Sequence, residues 1–155
     1  MFVGNYDLIH ILELVKDAET IAIAGHVNPD GDCIGSTLAM YNYLKHTDKT
    51  IDVYLEPIGR EFRDLPGADI IKNEAEDKVY DVFFMMDLGD TERIGVASKL
   101  FETAKYTICI DHHITSKGVA DENFIFPSLS STCELVFEMM DVELISKDVA
   151  ACLYT

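Results

Sequence analysis

The sequence predicts an α/β protein with a doubly wound, mainly parallel sheet of about five strands flanked by helices. Two observations support this fold class. Short apolar runs alternate along the chain with segments of helical periodicity, an order that requires parallel strands joined by crossovers. In addition, residues 82–86 are apolar at every position, which is typical of a strand buried on both faces of a sheet.

The strands are predicted from these apolar or alternating runs and from the turn residues that bound them. Residues 21–24 form an apolar run, typical of a buried strand, before Gly25. Residues 51–55 alternate between apolar and polar side chains, and Pro57 and Gly59 end this second strand. The remaining strands are predicted at 82–86, 106–110 and, as a short fifth strand, 123–126.

The helices are predicted from apolar spacing and capping residues. Asp7 is the predicted cap of a first helix with one apolar face, made of Leu8, Ile11, Leu12 and Val15. Further helices are expected at 36–45 with Leu38, Tyr41 and Leu44 inward, and at 94–102, 131–140 and 146–154. Residues 58–78 are expected to be irregular, with a short helix near Glu61.

Length, composition and net charge limit the size of the domain and the kind of ligand that it can bind. The chain has 155 residues, of which 48% are apolar and 26% charged, as expected for one globular domain. Its net charge of −16 opposes binding of long or double-stranded nucleic acid, whose affinity comes mostly from Lys and Arg on phosphates. A small phosphorylated substrate is compatible with this charge, because bound metals can supply local positive charge.

The cysteines and the chain start indicate a cytoplasmic protein. The four cysteines are far apart and form no CxxC pair, so we expect free thiols in a reducing compartment. The first residues lack the basic and apolar regions of a signal peptide, and no apolar run approaches the length of a membrane span. No membrane partner is therefore expected.

The densest cluster of chemical groups follows the first predicted strand. His26, Asp30 and Asp32 lie where that strand turns into a helix, and only Gly31 separates the two carboxylates. If both carboxylates turn towards one point, they repel each other unless a cation or a shared proton neutralises them. The sequence thus indicates a metal site here, the alternative being a polar turn in which Asp30 caps the helix.

Two further predicted strands end in the same kind of residue. The third is followed by Asp87, with Asp90 three residues on, and the fourth by Asp111, His112 and His113. Because parallel strands bring their carboxyl ends together, all these side chains are expected to converge on one crevice. Carboxylate and imidazole ligands with no thiolate suit manganese or magnesium better than structural zinc.

The stretches HVNPDGD (26–32), MMDLGD (85–90) and IDHH (110–113) resemble the first three motifs of the DHH phosphoesterase family. The resemblance implies a site of two Mn²⁺ ions, with Mg²⁺ or Co²⁺ as substitutes, that activates water for hydrolysis of phosphate esters. The implied metal ligands are His26, Asp30, Asp32, Asp87 and His112. Asp87 is the implied bridge between the ions and, with His113, a catalytic residue.

The resemblance assigns other roles around the ligands. His113 is similar to the histidine that contacts the substrate phosphate, and Asp111 to a residue that orients the histidines. Asp90 is either a second such supporting residue or a helix cap before Arg93. Ser36, at the start of the predicted helix, is expected to bind substrate, since that helix start offers free amides to an anion. Ser130 and Ser131 are expected either to cap a helix or to donate hydrogen bonds to a phosphate.

The chain departs from the family's pattern at its end. The family carries a fourth motif with another metal-binding Asp, shortly after a helix resembling residues 150–155, and then a second, substrate-binding domain. We expect residues 1–155 to be the amino-terminal part of a DHH domain and to be nearly inactive alone. A naturally short, metal-binding relative is the alternative.

Within the family the resemblance is to the oligoribonuclease (nanoRNase)/pAp phosphatase group, from HVNPDGD, Gly35-Ser36 and Ser131–Val136. It implies short RNA or 3′-phosphoadenosine 5′-phosphate as substrate, and a homodimer is one oligomeric state to test. The alternatives are a family II inorganic pyrophosphatase, a RecJ-type single-strand exonuclease and a catalytically dead metal- or nucleotide-binding module. A cyclic-dinucleotide phosphodiesterase belongs to the same family.

Overall fold

The structure is a computed structural model, and it describes residues 10–155. Asp7 and Leu8, the predicted cap and first inward residue of the first helix, lie outside the described residues. The first described helix, α1, covers Ile11–Leu14. Ile11 and the following Val15 are buried, as predicted for its inward face.

The described residues form a five-stranded, entirely parallel sheet in the order β2-β1-β3-β4-β5. The strands are β1 (Thr20–Ala24), β2 (Thr50–Tyr54), β3 (Val82–Met86), β4 (Tyr106–Asp111) and β5 (Glu122–Ile125). Each predicted strand is present within one residue of its predicted start or end. The predicted α/β fold class is therefore confirmed.

The larger helices are α2 (Gly31–Leu44), α3 (Ser98–Thr103), α4 (Thr132–Glu138) and α5 (Lys147–Leu153). The predicted start of α2 at residue 36 is wrong, because the helix begins at Gly31. Asp30 caps it, its Oδ1 accepting a hydrogen bond from the Cys33 amide at 2.9 Å. The capping interpretation of Asp30 is thus confirmed, and Asp32 lies inside the first helical turn.

Both faces of the sheet are covered. On one face Ile23 and Phe84 pack into a core with α2, α4 and α5. On the other face Phe83 and Met85 pack against the segment that contains α3. Every residue of β3 is buried, as its continuous apolar run predicts. Leu38 and Leu44 of α2 are fully buried and Tyr41 is half-buried.

The topology places a crevice at the carboxyl ends of β1 and β3. The chain runs from β1 outward to β2 and then returns to β3 on the other side of β1, so the strand order reverses between β1 and β3. Open α/β sheets bind ligands at such a reversal. The return path, residues 58–78, is irregular as predicted, with 3₁₀ turns at Arg60–Phe62 and Ala68–Ile70. None of the described helices has the length and apolar character needed to cross a bilayer.

Candidate metal centre

The ends of three adjacent strands bring five of the predicted site residues into one crevice. His26 follows β1, Asp87 follows β3, and His112 follows β4; α2 brings Asp30 and Asp32 to the same edge. Parallel pairing of Ala24 with Met85, and of Met85 with Cys109, aligns the three strand ends. The predicted convergence of these residues is therefore seen in the structure.

Asp87 stands at the middle of the cluster. Its Oδ2 lies 3.4 Å from Nε2 of His26, and its Oδ1 lies 3.7 Å from Nε2 of His112. Oδ1 also accepts a hydrogen bond from the Thr132 hydroxyl at 2.7 Å. The side chain is 1% exposed. One buried carboxylate therefore faces a different histidine with each of its oxygens.

The backbone at Asp87 is left-handed, with φ of 62°. Its amide still donates to the carbonyl of Ile110 at 2.9 Å, so the chain leaves the β3–β4 ladder at this residue. Asp is one of the few residues other than glycine that adopt this conformation readily. The sharp turn directs the chain away from the sheet immediately after the carboxylate.

Asp30 and Asp32 do not turn towards one point, which corrects the sequence-based expectation. Asp30 is 68% exposed and its Oδ1 lies 3.7 Å from Nε2 of His26. Asp32 has its Oδ2 3.4 Å from Nε2 of His112, and its two oxygens accept from the amides of Thr132 and Cys133. Residues two apart at a helix start point in different directions. The two carboxylates consequently serve opposite halves of the crevice.

His113 is held from behind by Asp111. Asp111 is fully buried, and its Oδ1 accepts from Nδ1 of His113 at 2.6 Å and from the His112 amide at 2.9 Å. This contact fixes the His113 ring and leaves Nε2 as its uncommitted nitrogen. The His113 side chain is 43% exposed. The arrangement matches an orienting role for Asp111.

The donor set fits a pair of divalent cations. Two groups of side chains each have ligand atoms within 4.8 Å of one another: His26 with Cys33 and Asp87, and Asp87 with His112 and His113. Asp87 belongs to both groups. Imidazole nitrogens and carboxylate oxygens are ligands of manganese, zinc and related ions. Two cations that share Asp87 are therefore compatible with the residues present.

The charges of the cluster are poorly balanced without a cation. Burial alone would lower the pKa of His26, but its hydrogen bonds, to Asp87 first and then to Cys33 and the Val27 carbonyl, raise that pKa to about 11. Burial raises the pKa of Asp87; the His26 contact opposes this and the Asp32 charge adds to it. A bound divalent cation would replace the proton that this arrangement favours.

Two residues of the site, Cys33 and Thr132, do not follow from the sequence patterns. The expectation of ligands without a thiolate excludes Cys33, yet its sulfur lies with His26 and Asp87. The sequence signal for Cys33 is its position directly after Asp32. This position indicates a place in the site only when the helix begins at Gly31, because Cys33 then lies in the first helical turn. No local pattern predicts the contacts of Thr132 with Asp87 and Asp32, since the cap of α4 is the preceding Ser131, whose Oγ accepts from the Glu134 amide at 3.0 Å.

Ser36 and Asp90 make hydrogen bonds outside the cluster around Asp87. Ser36 is fully buried and its hydroxyl donates to the Cys33 carbonyl at 3.2 Å, because position 36 falls in the second turn of α2. These contacts do not support the expected role of Ser36 in substrate binding. Asp90 caps the 3₁₀ turn Thr91–Arg93 and pairs with Lys117 at 2.5 Å. The capping alternative describes Asp90, and its observed bonds do not reach the histidines.

Comparison with known proteins identifies relatives of similar sequence. The chain is 32% identical over 133 residues to the bifunctional oligoribonuclease and PAP phosphatase NrnA of Thermus thermophilus, covering 85% of this chain and 40% of that protein. It is 25% identical over 149 residues to the cyclic-di-AMP phosphodiesterase PdeA of Listeria monocytogenes, covering 84% of this chain and 22% of that protein.

Its fold is also similar to a solved structure. The crystal structure of an exopolyphosphatase-related protein from Bacteroides fragilis matches with a TM-score of 0.82 and 29% identity, covering 92% of this chain and 46% of that one. The chain thus spans less than half the length of each of these proteins. The model of the DHH family, N-terminal domain, matches residues 20–155. The chain therefore belongs to the DHH family, with the family's N-terminal domain over those residues.

Proposed function

We propose that this protein is a manganese-dependent phosphoesterase that hydrolyses short oligoribonucleotides, 3′-phosphoadenosine 5′-phosphate, or both. The observation that carries the proposal is the position of Asp87, buried at the carboxyl edge of the sheet with one carboxylate oxygen facing His26 and the other facing His112. Membership of the DHH family supports the same reaction class.

The ligands divide into two halves around Asp87. His26 and Asp30 would hold one cation with Asp87, and Asp32 and His112 would hold the other with it. Two bound divalent cations supply the charge that activates water and neutralises a phosphate at neutral pH. The residues of the chain fix the ligand positions, and Thr132 and the start of α4 hold Asp87 and Asp32 in place.

His113 is assigned to the substrate. Its Nδ1 is committed to Asp111 at 2.6 Å, so its Nε2 is the atom free to carry a proton to a phosphate oxygen. Its partial exposure at the crevice is compatible with contact to a bound substrate, whereas the buried Asp87 is not reachable in that way. His113 would therefore orient and neutralise the phosphate.

Small anionic substrates are favoured over long nucleic acids. The net charge of −16 opposes binding of a long polyanion. The Thermus thermophilus relative, named as an oligoribonuclease and PAP phosphatase, supports short RNA and pAp as the first substrates to test. Cyclic di-AMP is a further arm of the test because of the Listeria monocytogenes relative.

The test is a substrate panel on the full-length protein with Mn²⁺. Hydrolysis of pAp, a diribonucleotide, cyclic di-AMP, pyrophosphate and long single-stranded DNA is compared at equal concentrations, with Asp87→Asn as the inactive control. Mn²⁺-dependent turnover of pAp or the diribonucleotide in preference to the others is the expected result. Preferred hydrolysis of pyrophosphate or of long DNA would show that the proposed substrate is wrong. If none of the compounds is hydrolysed, a catalytically inactive binding module is favoured.

The buried cysteines support a cytoplasmic location as part of this proposal. All four are free thiols in the described structure, as expected in a reducing compartment. A homodimer is the oligomeric state we would test first, by light scattering at several protein concentrations.

A further inference from the structure

Cys33 belongs to the candidate metal centre but has no part in the proposed reaction. It lies in the first turn of α2 and is fully buried. Its Sγ, a ring nitrogen of His26 and a carboxylate oxygen of Asp87 lie within 4.8 Å of one another. His26 and Asp87 are only 5% and 1% exposed, so the three ligand atoms share an enclosed site.

A glycine leaves the space for this thiol. A Cβ at Gly25 would stand 2.3 Å from the Cys33 sulfur and 2.7 Å from a methyl group of Leu55. No heavy-atom contact that close is tolerated without rearrangement. The carboxyl end of β1 therefore passes directly over the sulfur, and the absence of a side chain at position 25 keeps the sulfur beside His26.

The other cysteines have different surroundings. Each donates to a main-chain carbonyl, at 3.3 Å for Cys109 and at 3.6 Å for Cys133 and Cys152. Cys33 is the cysteine whose sulfur is grouped with the ligand atoms of other side chains in the described residues. All four cysteines are buried, and Cys33 differs from the other three in this grouping of its sulfur with His26 and Asp87.

A thiolate is a soft ligand, and its presence changes which cations a site prefers. Sulfur ligands favour zinc-like ions, whereas carboxylate and water suit manganese and magnesium. One imidazole, one thiolate and one carboxylate also match the ligand types and the open fourth position of many zinc sites. Sulfur beside His26 and Asp87 is thus unexpected in a centre that only has to hold hard cations.

We propose that His26, Cys33 and Asp87 form a binding site for a thiophilic divalent cation, represented by Zn²⁺, in the half of the metal centre nearer to β1. On binding, the metal–sulfur bond replaces the S–H bond and the proton leaves to solvent, without any redox change. Zinc would then compete with manganese for this half. The proposal rests on the proposed metal centre, since His26 and Asp87 serve both, but not on the identity of the substrate.

The direct test is absorption spectroscopy of the metal-free, full-length protein titrated with Cd²⁺ and Co²⁺. Bonds from these ions to a thiolate give an ultraviolet charge-transfer band that imidazole and carboxylate bonds do not. We expect a band that saturates at one thiolate-bound ion per chain in the wild type and in Cys133→Ser. We expect no band in Cys33→Ser or Cys33→Ala. Zn²⁺ affinity should fall by at least about tenfold, and Mn²⁺ affinity by a smaller factor, because sulfur is a better ligand for zinc-like ions than for manganese.

The wild type alone can overturn the proposal, which protects the test against a variant that fails to fold. Absence of the band in wild-type protein that binds Mn²⁺ would refute a sulfur ligand, and so would a band that persists in Cys33→Ser. If the band follows Cys33 while Mn²⁺-dependent hydrolysis is absent, the zinc site is retained and the proposed function fails. If Mn²⁺-dependent hydrolysis is intact and the band is absent, the proposed function is retained and the zinc site is refuted.

Discussion

The hydroxyl of Thr132 donates to Oδ1 of Asp87 at 2.7 Å, and the amide of the same residue donates to Oδ2 of Asp32 at 3.0 Å. Thr132 is fully buried. The first residue of α4 therefore fixes two carboxylates that come from different parts of the sheet edge. Groups that orient metal ligands in this way strongly affect metal affinity.

Replacing Thr132 by valine should impair the metal centre while keeping the packing. Valine has nearly the same shape but no donor, so Oδ1 of Asp87 would lose its fixed partner. We expect a tenfold to hundredfold loss of Mn²⁺ affinity, the usual size of such effects, and about the same loss of kcat/KM below metal saturation. Calorimetric Mn²⁺ titration measures the first quantity and pAp or dinucleotide hydrolysis the second.

Thr132→Ser is the matched control because it keeps the hydroxyl and loses only a methyl group. It should retain most of the Mn²⁺ affinity. If serine and valine variants lose affinity equally, the effect comes from packing at the start of α4 and not from the hydrogen bond to Asp87.

Asp87→Asn should abolish turnover without unfolding the protein. Asparagine tolerates the left-handed φ of 62° that Asp87 adopts, whereas alanine would add backbone strain to the loss of the ligand. The neutral amide cannot hold two cations, so we expect hydrolysis to fall by about a thousandfold, equivalent to about 4 kcal/mol of barrier. Circular dichroism melts establish the fold, and more than about a tenth of wild-type kcat at saturating Mn²⁺ would contradict the bridging role.

His113→Ala and His112→Ala should separate substrate contact from metal binding. Nδ1 of His113 is committed to Asp111 at 2.6 Å, whereas Nε2 of His112 faces both Asp32 and Asp87. We expect His113→Ala to bind Mn²⁺ like the wild type but to lose hydrolysis, and His112→Ala to lose both. Equal falls in Mn²⁺ affinity would show that the two histidines have been divided wrongly.

Periodicity predicted the sheet well because each strand has a local cause. The unbroken apolar run of β3 requires burial on both faces, and the structure buries all five residues. The same local logic failed at α2. The apolar pattern starts after residue 36, but the capping bond between Asp30 and the Cys33 amide starts the helix at Gly31.

The site could be predicted only as far as topology determines it. Convergence of His26, Asp87 and His112 follows from parallel strands alone. The contacts of Thr132 depend on how α4 docks against the sheet edge, a long-range arrangement that no local pattern encodes. The divergence of Asp30 and Asp32 depends on the same helix start that was misplaced, so one error in a helix boundary propagated into the expected ligand geometry.

A last prediction concerns stability and tests the structure away from the metal centre. Asp52 of β2 is 12% exposed and accepts hydrogen bonds from Lys72 at 2.9 Å, Lys78 at 3.0 Å and the Tyr80 hydroxyl at 2.6 Å. Burial alone would raise the pKa of Asp52, but Tyr80 and the two lysines outweigh it, so that the pKa lies below its ordinary value. The folded state therefore favours the charged carboxylate.

Asp52→Asn should lower the free energy of unfolding by about 2 kcal/mol at pH 7, since it removes hydrogen bonds to a charged acceptor. A pKa lowered by folding contributes stability that is present above the unfolded-state value of about 3.9 and is lost as the pH falls through the folded-state value. The difference in unfolding free energy between wild type and Asp52→Asn should accordingly begin to shrink as the pH falls below about 4. Urea unfolding from pH 7 to pH 3 measures it, with Glu102→Gln, an exposed acid on α3, as the charge control. A gap of constant size across this range would mean that the Asp52 contacts do not depend on its charge.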